Sequence, residues 1–332
     1  MSAKILPALF LTPLLCLACD AEEAVESASL TIVAAPETED ELLGACLLGD
    51  DDNACTGLDR LADVGATRRC GFELTPARIA AMNRDSTAML ADTPKAPTAY
   101  APGEIAILVA VHVINKGPGA ANGDVTNKQI QDQIIVLNQA YGAWYDGLAT
   151  PFYFYLWSVD RTTNASWYNL NQDYPAEAEM KMALHKGDER VLNLYITNPT
   201  FSVGWSTIPS DLFYEPLAMD GVVLSNRTLP GGSGAPYNLG DNAVHEIGHW
   251  LGLLHTFQDG CGQNNSQAGD RVADTPSEKS PAYGCPKSRD SCNSPGLDPV
   301  TNYMDYSDDS CMNTFTQGQI NRMSFMWESY RY

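Results

Sequence analysis

The sequence is poor in basic residues and contains no long apolar run. Lys and Arg together number 20 against 41 Asp and Glu, so the formal net charge is −21. A chain with so few cations is a poor candidate for binding nucleic acid or for lying on an anionic membrane. No apolar stretch reaches the roughly 18 residues that a transmembrane helix needs, so the sequence predicts none.

The remaining composition is that of a globular chain. The 332 residues are 44% hydrophobic and 18% charged, which excludes a collagen-like, coiled-coil or wholly disordered protein. This length is sufficient for a large hydrophobic core. The nine cysteines are an odd count, so at least one sulfur lies outside any intramolecular disulfide.

The first 19 residues predict an export signal. Lys4 precedes an apolar run over residues 5–17 that is too short to span a bilayer. The end of this run resembles a bacterial lipoprotein site with Cys19 as the lipidated residue, although Cys16 stands where Leu is usual. A plain secretion signal is the alternative. Either way we expect a secreted protein or one lipid-anchored on the outer surface, where disulfides are stable.

An acidic segment, residues 20–100, separates this signal from the main domain. Residues 20–63 contain 13 acidic residues and one basic residue, which is typical of a solvated, flexible stretch. Thr75 is a candidate helix N-cap, and the Pro/Ala-rich residues 94–102 predict a linker. The domain that follows, 101–332, alternates strand and helix patterns. We predict strands over 104–115, 152–159, 190–197 and 221–225, and helices over 126–145, 176–185, 241–254 and 316–330.

A cluster of histidines carries the strongest chemical signal. Three of the five histidines lie within 11 residues, as His245, His249 and His255. On a helix, positions i and i+4 share a face, so the first two imidazoles can bind one cation. Gly252 allows the turn that returns the third, and Glu246 is placed to act on a water beside the metal. An amphipathic helix with unrelated histidines is the alternative, but it explains none of these spacings.

This motif resembles the signature of the metzincin metalloproteases, which combine it with a Met-turn. The stretch Asn302–Tyr306, NYMDY, provides Met304 for that turn. Together with HEIGHWLGLLHTF and GDRVADTP (Gly269–Pro276), it resembles the pappalysin branch, which has small secreted bacterial and fungal members. The resemblance implies an α+β fold. A mixed sheet with helices forms the upper part, and the Met-turn, disulfides and C-terminal helix form an irregular lower part.

The resemblance also implies roles for single residues. His245, His249 and His255 match the zinc ligands, and Glu246 matches the general base. Met304 forms the floor under the imidazoles. Tyr306 matches a tyrosine that hydrogen-bonds the tetrahedral intermediate, with a packing role as the alternative. The expected reaction is hydrolysis of peptide bonds in protein or peptide substrates.

Two further features of the C-terminal part follow from the resemblance. Asp270, Asp274 and Thr275 offer oxygens for a structural calcium ion, with a solvated acidic loop as the alternative. Four cysteines allow three pairings, and the sequence alone does not choose among them. The family pattern implies Cys261–Cys292 and Cys285–Cys311.

Cys70, in the acidic segment, suggests how the enzyme is kept latent. A thiolate is a good zinc ligand, so Cys70 can occupy the open position at the metal as a cysteine switch. The alternatives are an unpaired thiol or a disulfide with Cys46 or Cys55, which could also pair with each other. We expect a zymogen that is activated by a cut in the region Lys95–Pro102.

The sequence says less about cleavage preference. Pappalysins often favour a basic residue after the scissile bond, read by an acid near the Met-turn. The position before Cys311 is Ser310 here, with Asp308 and Asp309 adjacent, so a preference for Arg or Lys is undecided. A catalytically weak surface lipoprotein that acts in binding or adhesion is the alternative function. We assign structural roles to His112 and His185, and the sequence does not predict the oligomeric state.

Overall fold

The fold is described by a computed structural model that covers residues 69–72, 75, 78–81, 83–84, 100–144, 147–172, 175–262 and 268–332. The predicted signal at 1–19 with Cys19, the acidic stretch at 20–63 with Cys46 and Cys55, and positions 94–99 of the predicted linker lie outside the described residues. The described part belongs to one unit, Gly65–Tyr332. None of its helices is both long and apolar enough to cross a membrane.

A five-stranded mixed sheet forms one layer of the fold. The strand order is β2-β1-β3-β5-β4, and only β4 runs antiparallel to its neighbour. The central strands read as continuous apolar runs because helices cover both faces of the sheet. The strands are β1 Ile105–Asn115, β2 Phe152–Thr163, β3 Val191–Thr197, β4 Gly204–Ser206 and β5 Val222–Ser225.

Five α-helices follow β1 in the chain, and residues 78–81 and 83–84 of the preceding segment are helical as well. Two of them begin with capping boxes, in which Thr126 pairs with Gln129 and Thr316 pairs with Gln319. The helices are α1 Asn127–Tyr141, α2 Ala165–Tyr168, α3 Pro175–Leu184, α4 Asp241–Trp250 and α5 Gln317–Tyr330. Short 3-10 turns occur at Ala120–Asn122, Pro209–Phe213, Leu217–Met219 and Asp309–Cys311.

The main hydrophobic core lies where α1, α4 and α5 meet one face of the sheet. Residues of β1 and β3 pack there against side chains such as Tyr141, Trp250 and Trp327. A smaller core around Tyr195 and Trp205 lies with α2 and α3. All ten residues of α4 are buried, so its polar side chains point into the protein interior.

The sequence predicted most of these elements. The four predicted strands and four predicted helices are present, and Thr75 Oγ1 accepts a hydrogen bond from Arg78 N at 3.2 Å, as expected for an N-cap. The α+β fold class is confirmed. Two short elements, α2 and β4, were not predicted. The predicted helix over 241–254 ends at Trp250 instead, because Gly252 adopts a φ of +94° and turns the chain.

Candidate metal centre and active site

Helix α4 and the turn after it bring three histidines together. His245 and His249 lie on one face of α4, and the turn at Gly252 returns His255 to them. The Nε2 atoms of His249 and His255 are 3.0 Å apart. With Sγ of Cys70, one ligand atom from each of these four buried residues lies within 4.8 Å of the others.

Hydrogen bonds fix the tautomer of these imidazoles. Nδ1 of His245 lies 2.7 Å from the Tyr303 carbonyl, and Nδ1 of His249 lies 2.8 Å from the Leu253 carbonyl. Carbonyl oxygens only accept, so both Nδ1 atoms carry the proton. Nδ1 of His255 faces Oε1 of Gln258 at 3.1 Å. The Nε2 lone pairs therefore converge, and a cation between them relieves their repulsion.

The pocket also favours the neutral form of the imidazoles. Burial lowers the pKa of His245 well below its ordinary value and lowers that of His249 to about 3. Neutral imidazole is the form that binds a metal. Nε2 of His245 is buried and has no hydrogen-bond partner among the described residues. This donor set fits the zinc ion that metalloproteases of this kind carry.

Glu246 and Tyr306 lie at the same cluster. Glu246 is fully buried, and burial raises its pKa to about 8. Its Oε2 is 3.4 Å from Sγ of Cys70. The hydroxyl of Tyr306 is 3.3 Å from Nε2 of His255 and donates to the Cys70 carbonyl at 3.5 Å. A carboxylate and a phenol thus approach the centre beside the nitrogens.

Met304 packs against α4 at Gly248, between the two helical histidines in the chain. It is fully buried, and its sulfur lies so close to Gly248 of α4 that a Cβ there would collide with it. The turn is fixed to its surroundings, since Met304 N donates to Asn302 Oδ1 at 3.0 Å. The neighbouring Tyr303 carbonyl holds His245, so this turn supports the metal-ligand geometry directly.

Residues 69–72 contact β4 at Gly204, the histidine cluster at His249, and the chain after the Met-turn at Ser307. Gly71 N donates to the Gly204 carbonyl of β4 at 2.8 Å. Phe72 stacks on His249 with ring centroids 4.3 Å apart. Arg69 is buried, donates to the Ser307 carbonyl, and approaches Asp309 Oδ1 at 3.5 Å. No local sequence pattern indicated these contacts of Arg69 and Phe72, although both residues lie within two positions of Cys70.

The C-terminal cysteines form two disulfides, with the pairing that the family pattern implies. Cys261 bonds Cys292, and Cys285 bonds Cys311. Cys70 is buried as a free thiol, and burial raises its pKa well above the ordinary value. Among the described cysteines, Cys70 is thus the one that forms no disulfide.

The residues predicted to bind calcium lie near the start of α5. Asp270 accepts hydrogen bonds from Val272 N at 3.0 Å and from the Gln319 amide at 2.8 Å. Asp274 accepts from Gly318 N at 2.9 Å, and Thr275 Oγ1 lies 3.3 Å from Oγ1 of Thr316. Protein donors thus engage both carboxylates, and calcium binding stays a prediction.

The remaining sequence candidates lie apart from the histidine cluster. His112 is buried between Asp160 and Asn193, and neither it nor His185 belongs to the group of metal-ligating side chains. Ser310 Oγ is 3.7 Å from Cys285 Sγ. The acid that contacts Arg69, next to Cys70, is Asp309. The residue directly before Cys311, Ser310, makes no such contact among those described.

Comparisons with known proteins identify the family. The peptidase M43 model, described as pregnancy-associated plasma protein-A, matches residues 230–328. An extracellular metalloprotease of Pyricularia oryzae is 44% identical over 224 residues, which cover 67% of this chain and 74% of that protein. An extracellular metalloprotease of Verticillium alfalfae is 40% identical over 268 residues, covering 79% and 89%.

Solved structures agree with the sequence relatives. A promirolysin mutant of Tannerella forsythia is 25% identical with a TM-score of 0.64, covering 79% of this chain and 94% of that one. Mature mirolysin in complex with a cleaved peptide is 27% identical with a TM-score of 0.56, covering 69% and 96%. The chain belongs to the pappalysin family of metzincins and is a secreted zinc metalloendopeptidase.

Proposed function

We propose that this endopeptidase is made as a latent zymogen in which Cys70 blocks the metal centre. His245, His249 and His255 are the zinc ligands, and Cys70 Sγ is the fourth. The observation that carries the proposal is the approach of all four ligand atoms to within 4.8 Å of one another. Four N and S donors in one buried cluster fit a closed zinc site, whereas three donors fit a catalytic one.

The residues around the centre supply the parts of a peptide hydrolysis. Zinc bound by three imidazoles acts as a Lewis acid and lowers the pKa of a water at the site. Glu246 takes the proton from the attacking water and delivers it to the leaving amine. The hydroxyl of Tyr306 donates to the oxygen of the scissile carbonyl as negative charge develops there. Met304 keeps the imidazoles in place from below.

Latency follows from how firmly the segment before the catalytic domain is attached. Cys70 is held on one side by the buried Arg69 and on the other by the Gly71–Gly204 hydrogen bond. A cut in the linker at 94–102 lets this segment dissociate and opens the fourth position. A relative of this fold exists both as promirolysin and as mature mirolysin with a cleaved peptide, which supports processing of this chain as well.

The pocket that holds Arg69 supports a preference for basic residues next to the scissile bond. The Arg69 guanidinium contacts the Ser307 carbonyl, Asp309 and Met312, and lies 4.6 Å from the ring of Tyr237. Once the segment leaves, Asp309 is available to a substrate arginine or lysine. Asp309 is fixed for this purpose, because its Oδ2 accepts from Leu239 N at 2.9 Å.

Replacement of the general base tests the mechanism. The full chain is cut at a specific protease site inserted into the linker, and the cut enzyme is assayed on a fluorogenic peptide. We expect Glu246→Gln to abolish cleavage while metal analysis still finds one zinc per chain. Glu179→Gln, at an exposed glutamate on α3 outside the histidine cluster, should keep full activity. Cleavage by Glu246→Gln would refute the proposed base, and loss of its zinc would make Glu246 a ligand.

A further inference from the structure

The carboxylate of Asp211 holds an arginine of the segment that precedes the catalytic domain. Nε and Nη2 of Arg78 donate to its two oxygens at 3.1 and 2.7 Å. The two side chains are 13% and 11% exposed, so the pair is largely desolvated. Two parallel N–H groups on one carboxylate is the geometry by which proteins recognise arginine. Asp211 therefore binds an arginine side chain in this structure, in the geometry that suits a carboxylate.

Asp211 lies in a cleft beside the edge strand β4. The cleft has a volume of about 390 Å³, and its lining includes Arg78, Trp205, Ser206 and Thr207. The chain before Arg78 also reaches this edge, through the Gly71–Gly204 hydrogen bond. The described residues of the segment thus contact the histidine cluster at Cys70, β4 at Gly71 and Asp211 at Arg78. A substrate that pairs with the same edge places its own side chains in this cleft.

The charge of the cleft favours a cation. Its lysine, Lys181, is already neutralised, because Nζ lies 2.8 Å from Glu177 Oε1 and donates to the Met219 carbonyl at 3.0 Å. Across the described ranges, Arg78 is the one cation within 4 Å of Asp211. When the segment leaves, Asp211 therefore loses its counter-charge. A substrate arginine in the place of Arg78 would be desolvated as Arg78 is, and an ion pair is stronger there than in water.

Asp211 is also held in place independently of Arg78. Its Oδ2 accepts a hydrogen bond from Ile208 N at 3.0 Å, at the start of the 3-10 turn Pro209–Phe213. The carboxylate therefore keeps its direction after Arg78 dissociates. A preorganised acid of this kind loses little entropy when it binds a new partner.

We propose that Asp211 is a specificity-determining residue, which binds an arginine side chain of the substrate more strongly than a lysine. Asp211 binds the side chain at one substrate position, and Asp309 binds the side chain at another. The two acids bind different arginines of the segment, Arg78 and Arg69, on opposite sides of Cys70 in the chain. This proposal rests on the proposed function, because it requires that the segment leaves the cleft.

A positional peptide library tests the proposal on the cut enzyme. Wild type, Asp211→Asn and Asp309→Asn are profiled, with Glu179→Gln, at an exposed glutamate that does not line the cleft, as the control. We expect wild type to enrich arginine at two positions. Asp211→Asn should lose the enrichment at one of them by at least about tenfold and keep the other. Asp309→Asn should show the opposite pattern, and Glu179→Gln should match wild type.

An Asp211→Asn profile identical to that of wild type would overturn the proposal. Because Asp211 also binds Ile208 N, a peptide of residues 69–84 provides a second measurement that does not depend on the folding of a variant. Arg78→Gln in this peptide should weaken its inhibition of cut wild-type enzyme at least about tenfold, and equal inhibition would contradict the proposal. Activity before and after the cut is recorded separately, so a failure of latency is distinguishable from a failure of the Asp211 subsite.

Discussion

The thiol of Cys70 lies 3.4 Å from Oε2 of Glu246, so the sulfur that completes the histidine cluster also contacts the proposed general base. The other oxygen of this carboxylate is buried without a partner among the described residues. One side chain thus obstructs both the fourth ligand position and the group that would activate water. Removal of Cys70 is therefore expected to restore both functions together.

The hydroxyl of Tyr306 should matter for the rate of reaction and not for metal binding. Tyr306→Phe removes a donor that lies 3.3 Å from His255 Nε2 and leaves the ring packing intact. Loss of one hydrogen bond to a developing oxyanion lowers kcat by about 10²–10³. We expect such a loss in the cut enzyme, with KM and zinc content unchanged. Steady-state kinetics with metal analysis check this, and an unchanged kcat would leave Tyr306 a packing residue.

Gly252 should tolerate no side chain. Its φ is +94°, and an added Cβ would lie 2.5 Å from Cγ and 2.9 Å from Cβ of Met326. We expect Gly252→Ala to lower the free energy of unfolding by about 3 kcal/mol, from the left-handed backbone and the overpacking together. Because this turn positions His255, zinc affinity should fall as well. Urea denaturation and zinc titration measure the two effects.

Gly231 provides the control for this prediction. Its φ is +74°, but an added Cβ would meet nothing within 4 Å. Gly231→Ala therefore carries the backbone cost without overpacking, about 1 kcal/mol, and should leave zinc binding unchanged. Equal destabilisation by the two substitutions would show that contact with Met326 contributes nothing.

A buried ion pair near the C-terminus should make stability depend on pH. Arg331 binds both oxygens of Asp220 at 2.7 and 3.0 Å, and its guanidinium lies 3.7 Å from the ring of Trp250. Burial alone would raise the pKa of Asp220, but the charge of Arg331 and hydrogen bonds outweigh it and lower the pKa. The contribution of this pair is thus complete above about pH 4, the unfolded-state pKa, and is lost as pH falls through the folded-state pKa.

Arg331→Met should accordingly cost about 3–5 kcal/mol at pH 7, because it leaves Asp220 buried and unpaired. The deficit should shrink as the pH falls, since protonated Asp220 needs no counter-charge. Lys128→Met, which breaks the exposed pair with Asp132, should cost at most about 0.5 kcal/mol. Urea denaturation at pH 7 and at lower pH compares the variants, and a deficit that does not change with pH would contradict the assignment to Asp220.

The sequence predicted that the three histidines converge, because their spacing depends on local structure. His245 and His249 share a helix, and Gly252 ends that helix, so their placement depends on few residues. The fold class was likewise readable from the alternation of apolar strands and amphipathic helices. The three-residue strand β4 could not be predicted from the sequence, since so short a segment carries no periodicity.

The contacts of the segment before the catalytic domain were beyond sequence reasoning for a different reason. Arg69 and Asp309 are 240 positions apart, and Arg78 and Asp211 are 133 apart. No local pattern links such pairs, and only the folded chain brings them together. The disulfides show the same limit, because four cysteines allow three pairings until the tertiary structure selects one.

The most direct test of the account is the activity of the uncut full chain with and without Cys70. Wild type, Cys70→Ala and Cys70→Ser are assayed on an arginine-containing fluorogenic peptide before and after cleavage of the linker. The account predicts that both variants are at least about tenfold more active than wild type before the cut. After the cut all three should be equal. Equal activity of the three uncut chains would contradict the assignment of Cys70 as the fourth ligand.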